Sequence, residues 1–292
     1  MALLSIPKST LPTVLATCLV FHFLVSPVSA QEHFRPLDQA NIASRLQRFS
    51  RRNQEREAII KQLFRESGCR DSQLSEQRVE PALPPNVICV LPGQSDGVIL
   101  VGAHTDKVDA GDGVVDNWSG ACLLPSLLYS VKGQKRRHTF IFVGFTGEEK
   151  GLLGSAFYAG QLTPGERMKI AAMVNLDTLG LGPSEVWASH ADARLLDALH
   201  RIAGSMKLPI TVMNVDGLGT ADSESFAPFE IPRVTIHSLT PNTVSLLHSS
   251  RDRIDAIKMD DYYATYRLLA GYLSFLDTYL RVPSTGKNKP GR

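Results

Sequence analysis

Residues 98–106 read VILVGAHTD: six apolar or small residues, then a histidine and an aspartate. The run has the length and composition of a strand buried on both faces, and the polar pair stands where such a strand would end. VICVL (87–91), TFIFVGF (139–145) and IAAMVNL (170–176) repeat the form. Stretches of helical periodicity come between and after them: ACLLPSLLYSV (121–131), ARLLDALHRIA (193–203) and the closing DYYATYRLLAGYLSFLDTYL (261–280). Ahead of the first strand, Ile42, Leu46 and Phe49, then Ile59, Ile60 and Leu63, are spaced for one amphipathic helix or for two with a break. Buried strands alternating with helices predict an α/β protein whose sheet is covered on both faces. The proline-rich EPALPPN (80–86) is too short for a domain linker, and no repeat or second domain is expected.

In an open α/β sheet, ligands bind outside the carboxyl ends of the strands. Those ends deliver a consistent set. VILVGAHTD gives His104 and Asp106, and GDGVVDNWSG (111–120) gives Asp116 in a glycine-rich turn before a helix. FTGEE (145–149) gives Glu148 and Glu149, VNLD gives Asp177, and VSLLHSS (244–250) gives His248. Imidazole and carboxylate together suit zinc, with one coordination position left open for water. Two histidines and three carboxylates serve two metals if one carboxylate bridges them. A two-metal centre binds and deprotonates a water and then stabilises the oxyanion formed when that water attacks a carbonyl. One further carboxylate, free of metal, has to accept the water's proton and pass it to the leaving amine. The adjacent glutamates therefore divide into one ligand and one base. Side chains so close can be aimed at one ion only if the backbone turns, which Gly147 and Gly151 permit.

GAHTD, DGVVDNWSGA, FTGEEKGLLGS, VNLDTLG, ADSESF and LHSSRD together resemble the exported co-catalytic dizinc aminopeptidases of the bacterial leucyl aminopeptidase type. The resemblance runs from about residue 38 to 280. It implies a three-layer α/β/α sandwich with a mixed, mainly parallel central sheet, of the zinc-exopeptidase kind, spanning 31–283 as a single domain. It implies two Zn²⁺ ions per chain: His104 and Asp177 on one, Glu149 and His248 on the other, and Asp116 bridging. Glu148 becomes the general base and Asp106 the carboxylate that orients the His104 imidazole. Where many relatives read S-D-H, this chain has Ala221-Asp222-Ser223, so any role of that histidine is absent. Asp222 is kept, with a hydrogen bond near the second metal as its expected use, and Asp252 is either a partner of the site or a helix cap. His237, which ends an apolar run, is the rival to His248. The implied activity is removal of single residues from peptides with a free N-terminus. A glutaminyl cyclase using one zinc, and a peptidase-like binding domain without activity, are the alternatives.

The remaining sequence narrows this reading. A net charge of +2 with 21% charged residues predicts no strong attraction to nucleic acid or to anionic membrane. The basic cluster Arg45, Arg48, Arg51 and Arg52 is interleaved with apolar residues and reads as a solvated helix face. Residues 1–30 carry one charge, a short apolar run and the small residues Val28-Ser29-Ala30, the pattern of a cleaved secretory signal. A secreted or periplasmic protein without stable membrane association follows. In an oxidising compartment Cys69 and Cys89 can pair, leaving Cys122 buried and free. The segment 284–292 is expected to be a disordered tail.

Overall fold

The computed structural model of the chain describes residues 34–282; the expected signal segment and the tail lie outside them. Eight strands form one sheet: β1 (Leu74–Gln77), β2 (Asn86–Leu91), β3 (Val98–His104), β4 (Thr139–Phe145), β5 (Ile170–Leu176), β6 (Ser184–Val186), β7 (Ile210–Val212) and β8 (Arg233–His237), in the order β1-β2-β4-β3-β5-β8-β6-β7. The central ladders β4·β3, β3·β5 and β5·β8 are parallel, as is β6·β7, while β1·β2, β2·β4 and β6·β8 are antiparallel. The four quoted apolar runs are β2 to β5. Every residue of β5 is buried, which is why its sequence shows no polar alternation.

The helices are α1 (Gln39–Leu46), α2 (Asn53–Glu66), α3 (Ser119–Ala121), α4 (Leu123–Lys132), α5 (Leu153–Gln161), α6 (Pro164–Arg167), α7 (Ala193–Met206) and α8 (Met259–Tyr279). They fall on two sides of the sheet. Side chains from α1, α2, α4, α7 and α8 pack with Ile99, Val101 and Ala103 of β3 and with Phe140 and Phe142 of β4. Across the sheet, Leu100, Val143, Phe145 and Met173 meet Tyr158 and Ala159 of α5 and Phe226 from the 3-10 segment Asp222–Phe229. This is the expected three-layer arrangement with a mixed, mostly parallel sheet.

Local chemistry sets the boundaries. Asp38 caps α1 through the Asn41 amide, and Asp192 caps α7 through the amides of Arg194 and Leu195. The amphipathic stretch 37–64 is two helices, broken where Arg56 Nε takes the Ser50 carbonyl at 2.8 Å. Pro125, an anomaly in sequence, sits in the first turn of α4, where the amide it lacks has no partner within the helix.

The chain runs one way from β3 to β4 and the opposite way from β4 to β5, which lies on the far side of β3. The two connections therefore diverge above the carboxyl end of β3 and leave a crevice there. Cys69 and Cys89 are joined, with Cα atoms 6.4 Å apart, and tie the end of α2 to β2; Cys122 is buried and free. The bridge closes a loop of 20 residues. Replacing both cysteines by alanine should therefore cost about 3 kcal/mol of stability in urea denaturation, with an unchanged far-ultraviolet spectrum; a loss below ~0.5 kcal/mol would contradict this.

Candidate metal centre

His104 is the last residue of β3 and is almost fully buried. Its Nδ1 faces the backbone carbonyl of Asp106 at 3.2 Å, an arrangement that places the proton on Nδ1 and the lone pair on Nε2. Asp116 lies in the turn Val114–Trp118, which follows the left-handed Gly113 (φ 62°), and the Asp116–Asn117 peptide is cis. That turn is held from outside. The Asp252 carboxylate accepts the amides of Val115 at 2.7 Å and Asp116 at 3.1 Å. The Asn117 side chain donates to Leu176 O and accepts the amides of Gly120 and Thr178, stitching the turn to the loop that carries Asp177. Asp252 is thus a partner of the site rather than a helix cap.

Glu148 and Glu149 occupy one 3-10 turn between two left-handed glycines, Gly147 (φ 68°) and Gly151 (φ 98°). The backbone reverses there, so neighbouring carboxylates can converge on one crevice. Asp106 accepts the amides of Glu148 at 3.2 Å and Glu149 at 3.3 Å. Its carboxylate also lies 3.7 Å from the His104 ring, whose Nδ1 the Asp106 carbonyl meets more closely. The carboxylate thus reaches the glutamate turn as well as the imidazole.

The predicted residues meet in two groups that share Asp116: His104, Asp116 and Asp177, and Asp116, Glu149 and His248, each with its ligand atoms within 4.8 Å of one another. His104 Nε2 is 3.1 Å from Asp116 Oδ1 and 3.7 Å from Asp177 Oδ1. His248 Nε2 is 2.9 Å from Glu149 Oε2 and 3.3 Å from Asp116 Oδ2. Asp116 therefore turns one oxygen to each group. Glu149 Oε1 is buried with no hydrogen-bonded partner. Imidazole and carboxylate converging with a spare oxygen form a donor set that fits divalent cations such as zinc.

Crowded charge shows in the acidities. Burial, reinforced by the negative charges of Asp222, Asp177 and Asp116, pushes the Glu148 carboxyl up to about 9. Burial and Asp116 push Glu149 up to about 7. The hydrogen bond to Asp116 and the charge of Glu149 raise His248 to about 9. Burial opposes the charged form of Asp116, but His104 and His248 outweigh it and hold that carboxyl well below the usual range.

The rival residues have other partners. His237 gives Nε2 to Met213 O at 2.9 Å and accepts the Leu239 amide at Nδ1, which leaves no nitrogen for a ligand. His138 pairs with Asp277, His190 stacks on Trp187 with ring centres 4.2 Å apart, and His200 is exposed on α7. Trp118 fills core, whereas Trp187 lines the crevice. Asp222 lies outside both groups. Its two oxygens are buried without a hydrogen-bonded partner, the nearby Ser155 hydroxyl being committed to Leu152 and Ser225, and burial pushes its carboxyl up to about 7. Asn117 and Arg56 are additions from the structure. Arg56 carries a signal in sequence, since it lies four residues before Ile60 in phase with the apolar face of α2.

The family model described as Peptidase family M28 matches residues 86–273, well over half the chain. The chain belongs to peptidase family M28. Leucine aminopeptidase 2 of Trichophyton rubrum is 39% identical to this M28 chain over 88 residues, which cover 30% of the chain and 18% of that protein. The chain thus spans less than a fifth of the length of the curated relatives it first matches. Among solved structures, the LapA aminopeptidase of Legionella pneumophila superposes with a TM-score of 0.69 at 18% identity, covering 86% of this chain and 74% of that one. A glutaminyl cyclase from an Acidobacteriales bacterium superposes at 0.66 and 18% identity, covering 93% and 99%. These likenesses define the fold. Among the described residues of this M28 chain, no helix is long and apolar enough to cross a membrane.

In the metal-free protein Glu148, Glu149, Asp222 and His248 all bind protons more tightly than in the unfolded chain, where carboxyls titrate near ~4 and imidazoles near ~6.5. The folded state then holds more protons between about pH 5 and 9, so its stability falls as pH rises across that window. The melting temperature of chelator-treated protein should drop between pH 6 and pH 9, and saturating Zn²⁺ should remove the drop. A flat or rising profile without metal would contradict the charge crowding.

Proposed function

We propose that this M28 chain is an exported aminopeptidase that uses two zinc ions to remove residues from peptides with a free N-terminus. The observation that carries the reading is the pair of ligand groups sharing Asp116 at the carboxylate-rich end of a cavity of about 300 Å³. His104 and Asp177 would hold one ion, Glu149 and His248 the other, and Asp116 both. Bound there, the cations would supply the Lewis acidity that polarises a peptide carbonyl and would draw the Glu148 pKa down from about 9 to where the ionised carboxylate can serve as a base.

The chain's own residues do the rest. Glu148 lines the cavity beside both groups and belongs to neither, so its carboxylate is free to take the proton of the attacking water and return it to the leaving amine. Asp106 fixes the turn that carries Glu148 and Glu149 by accepting both of their amides. Among the described residues no lysine or arginine lines the cavity. A substrate ammonium meets carboxylates there, and no guanidinium or ammonium stands ready to pair with a C-terminal carboxylate; this favours amino- over carboxypeptidase action. Trp187, Val215, Leu218, Leu239, Val244 and Leu247 form an apolar wall suited to an uncharged side chain. Export rests on the character of residues 1–30, and the net charge of +2 favours neither nucleic acid nor membrane as a partner.

Mass spectrometry of three peptides decides among the readings: one with a free amine, its N-acetylated twin, and one beginning with glutamine. Chelator-sensitive loss of the first residue from the free-amine peptides alone is expected. Loss of ammonia without cleavage would replace the reading by cyclisation, and attack on the acetylated twin would exclude an aminopeptidase. Glu148→Gln should lower turnover about 10³-fold while metal binding stays within a few-fold of the parent by calorimetry; retained turnover would remove Glu148 as the base.

A further inference from the structure

Arg56 is a fully buried guanidinium in α2, and among the described residues no carboxylate oxygen lies within 4.0 Å of it. Its donors go to main-chain carbonyls. Nε takes Ser50 O, Nη1 takes Thr105 O at 3.1 Å and Asp106 O at 3.5 Å, and Nη2 takes Asp112 O at 2.9 Å and also Gly113 O. The guanidinium also sits over the Trp118 ring, 5.6 Å from its centre. Burial lowers its pKa to about 10, and it remains charged at neutral pH.

These carbonyls belong to two loops. Thr105 and Asp106 directly follow His104, and Asp112 and Gly113 directly precede the turn that presents Asp116. The Asp106 carbonyl that Arg56 approaches is also the one that faces His104 Nδ1. A path of two contacts thus joins the guanidinium to the orientation of the imidazole. Gly113 is pressed against the fork: a side chain there would meet Lys107 at 2.6 Å and Arg56 Nη2 at 2.9 Å. Two neighbours on α2 and just before it strengthen the clamp. The Asn53 side chain bonds both the amide and the carbonyl of Lys107, and Arg51 pairs with Asp112 at 2.6 Å.

We propose that Arg56 is a positioning residue of the metal centre, its planar fork holding the His104 and Asp116 loops at the separation that lets both side chains face one cation. The inference rests on the two-cation reading above. Charge and geometry predict opposite signs here. A buried positive group repels an incoming cation, so if Arg56 acted through charge alone, its removal would tighten metal binding. If it acts through the fork, removal loosens binding, and lysine, which keeps the charge but cannot span both loops, fails as well.

The test titrates Co²⁺ into the metal-free full chain, read by calorimetry and by the visible absorption of the bound ion. The parent protein is expected to take two ions. Arg56→Lys and Arg56→Gln should each weaken the tighter site at least tenfold, the range found for residues that orient metal ligands, and should alter the cobalt spectrum. Ile60→Ala, a core truncation one turn further along the same helix that removes no hydrogen bond to either loop, should lower the melting temperature yet leave affinity within threefold. Binding by Arg56→Lys within threefold of the parent, tighter binding by Arg56→Gln, or equal loosening by Ile60→Ala would each overturn the proposal. If both Arg56 variants fail to fold, Asn53→Ala decides, with at least threefold weakening expected and unchanged affinity overturning the inference. A parent protein that binds no metal would refute the two-cation reading itself, an outcome distinct from any of these.

Discussion

Asp116 gives one oxygen to the surroundings of His104 and the other to those of His248, and every other feature of the crevice is arranged about that division. Four carboxylates, those of Asp116, Glu148, Glu149 and Asp177, line it beside the imidazoles of His104 and His248, with Asp106 and Asp222 buried close behind. Two like charges about 4 Å apart at a protein surface repel by roughly 4 kcal/mol, and burial adds to the cost. The protein without cations answers by keeping protons on Glu148, Glu149 and Asp222 at pH values where carboxyls are ordinarily bare. Protons held this way are exchangeable for other positive charge. A crevice of this composition favours added positive charge on electrostatic grounds, in keeping with the two ligand groups found there.

Keeping these charges together demands that the backbone be fixed by groups that do not themselves enter the crevice. Asp252 holds the amides of the Asp116 turn, Asp106 those of the glutamate turn, and Asn117 joins the Asp116 turn to the Asp177 loop. Arg56 supplies the complementary half by taking carbonyls where the carboxylates take amides. Each fastening spans a long stretch of sequence. The loops can therefore be short, rich in glycine and strained at Thr178 and His248, both of which have positive φ, without losing their positions.

The sheet was legible because burial on both faces removes polar residues from a strand, and VICVL, VILVGA, TFIFVGF and IAAMVNL carry that signature without interruption. The edge strands β1 and β7 and the three-residue β6 were not, since strands of three or four residues are too short to leave such a run. Of the site, the groups expected to meet are those in the segments that follow a buried strand, His104, Asp116, Glu148, Glu149 and Asp177, together with His248, which stands after a 3-10 turn and was indicated by its motif. What escaped was the set of contacts made by side chains to main chain. Asp106 reads as a partner of the His104 ring because the two lie in one tripeptide; that its carboxylate also takes the amides after β4 is set by the β3·β4 ladder, which no local pattern shows. Arg56 was hidden among exposed arginines of the same segment, although its phase with Ile60 places it on the buried face.

The crevice is also polarised along its length, and this bears on how a peptide would enter under the proposed reading. The His104 side chain is only 2% exposed, whereas that of His248 is 56% exposed, so one ligand group lies at the closed end and the other at the mouth. The apolar wall is stiffened behind Trp187 by His190, which lies between Asp216 and Glu224, the latter bonded to Arg233. Its outer part is looser in character, with Leu218 53% exposed between Gly217 and Gly219. An N-terminal residue entering such a cavity is drawn inward by its ammonium and held by its side chain, while the chain that follows must leave past His248. A peptide capped at its amine loses the first attraction and gains bulk at the closed end. Discrimination for a free N-terminus then follows from the charge and depth of the crevice, with no separate recognition loop required.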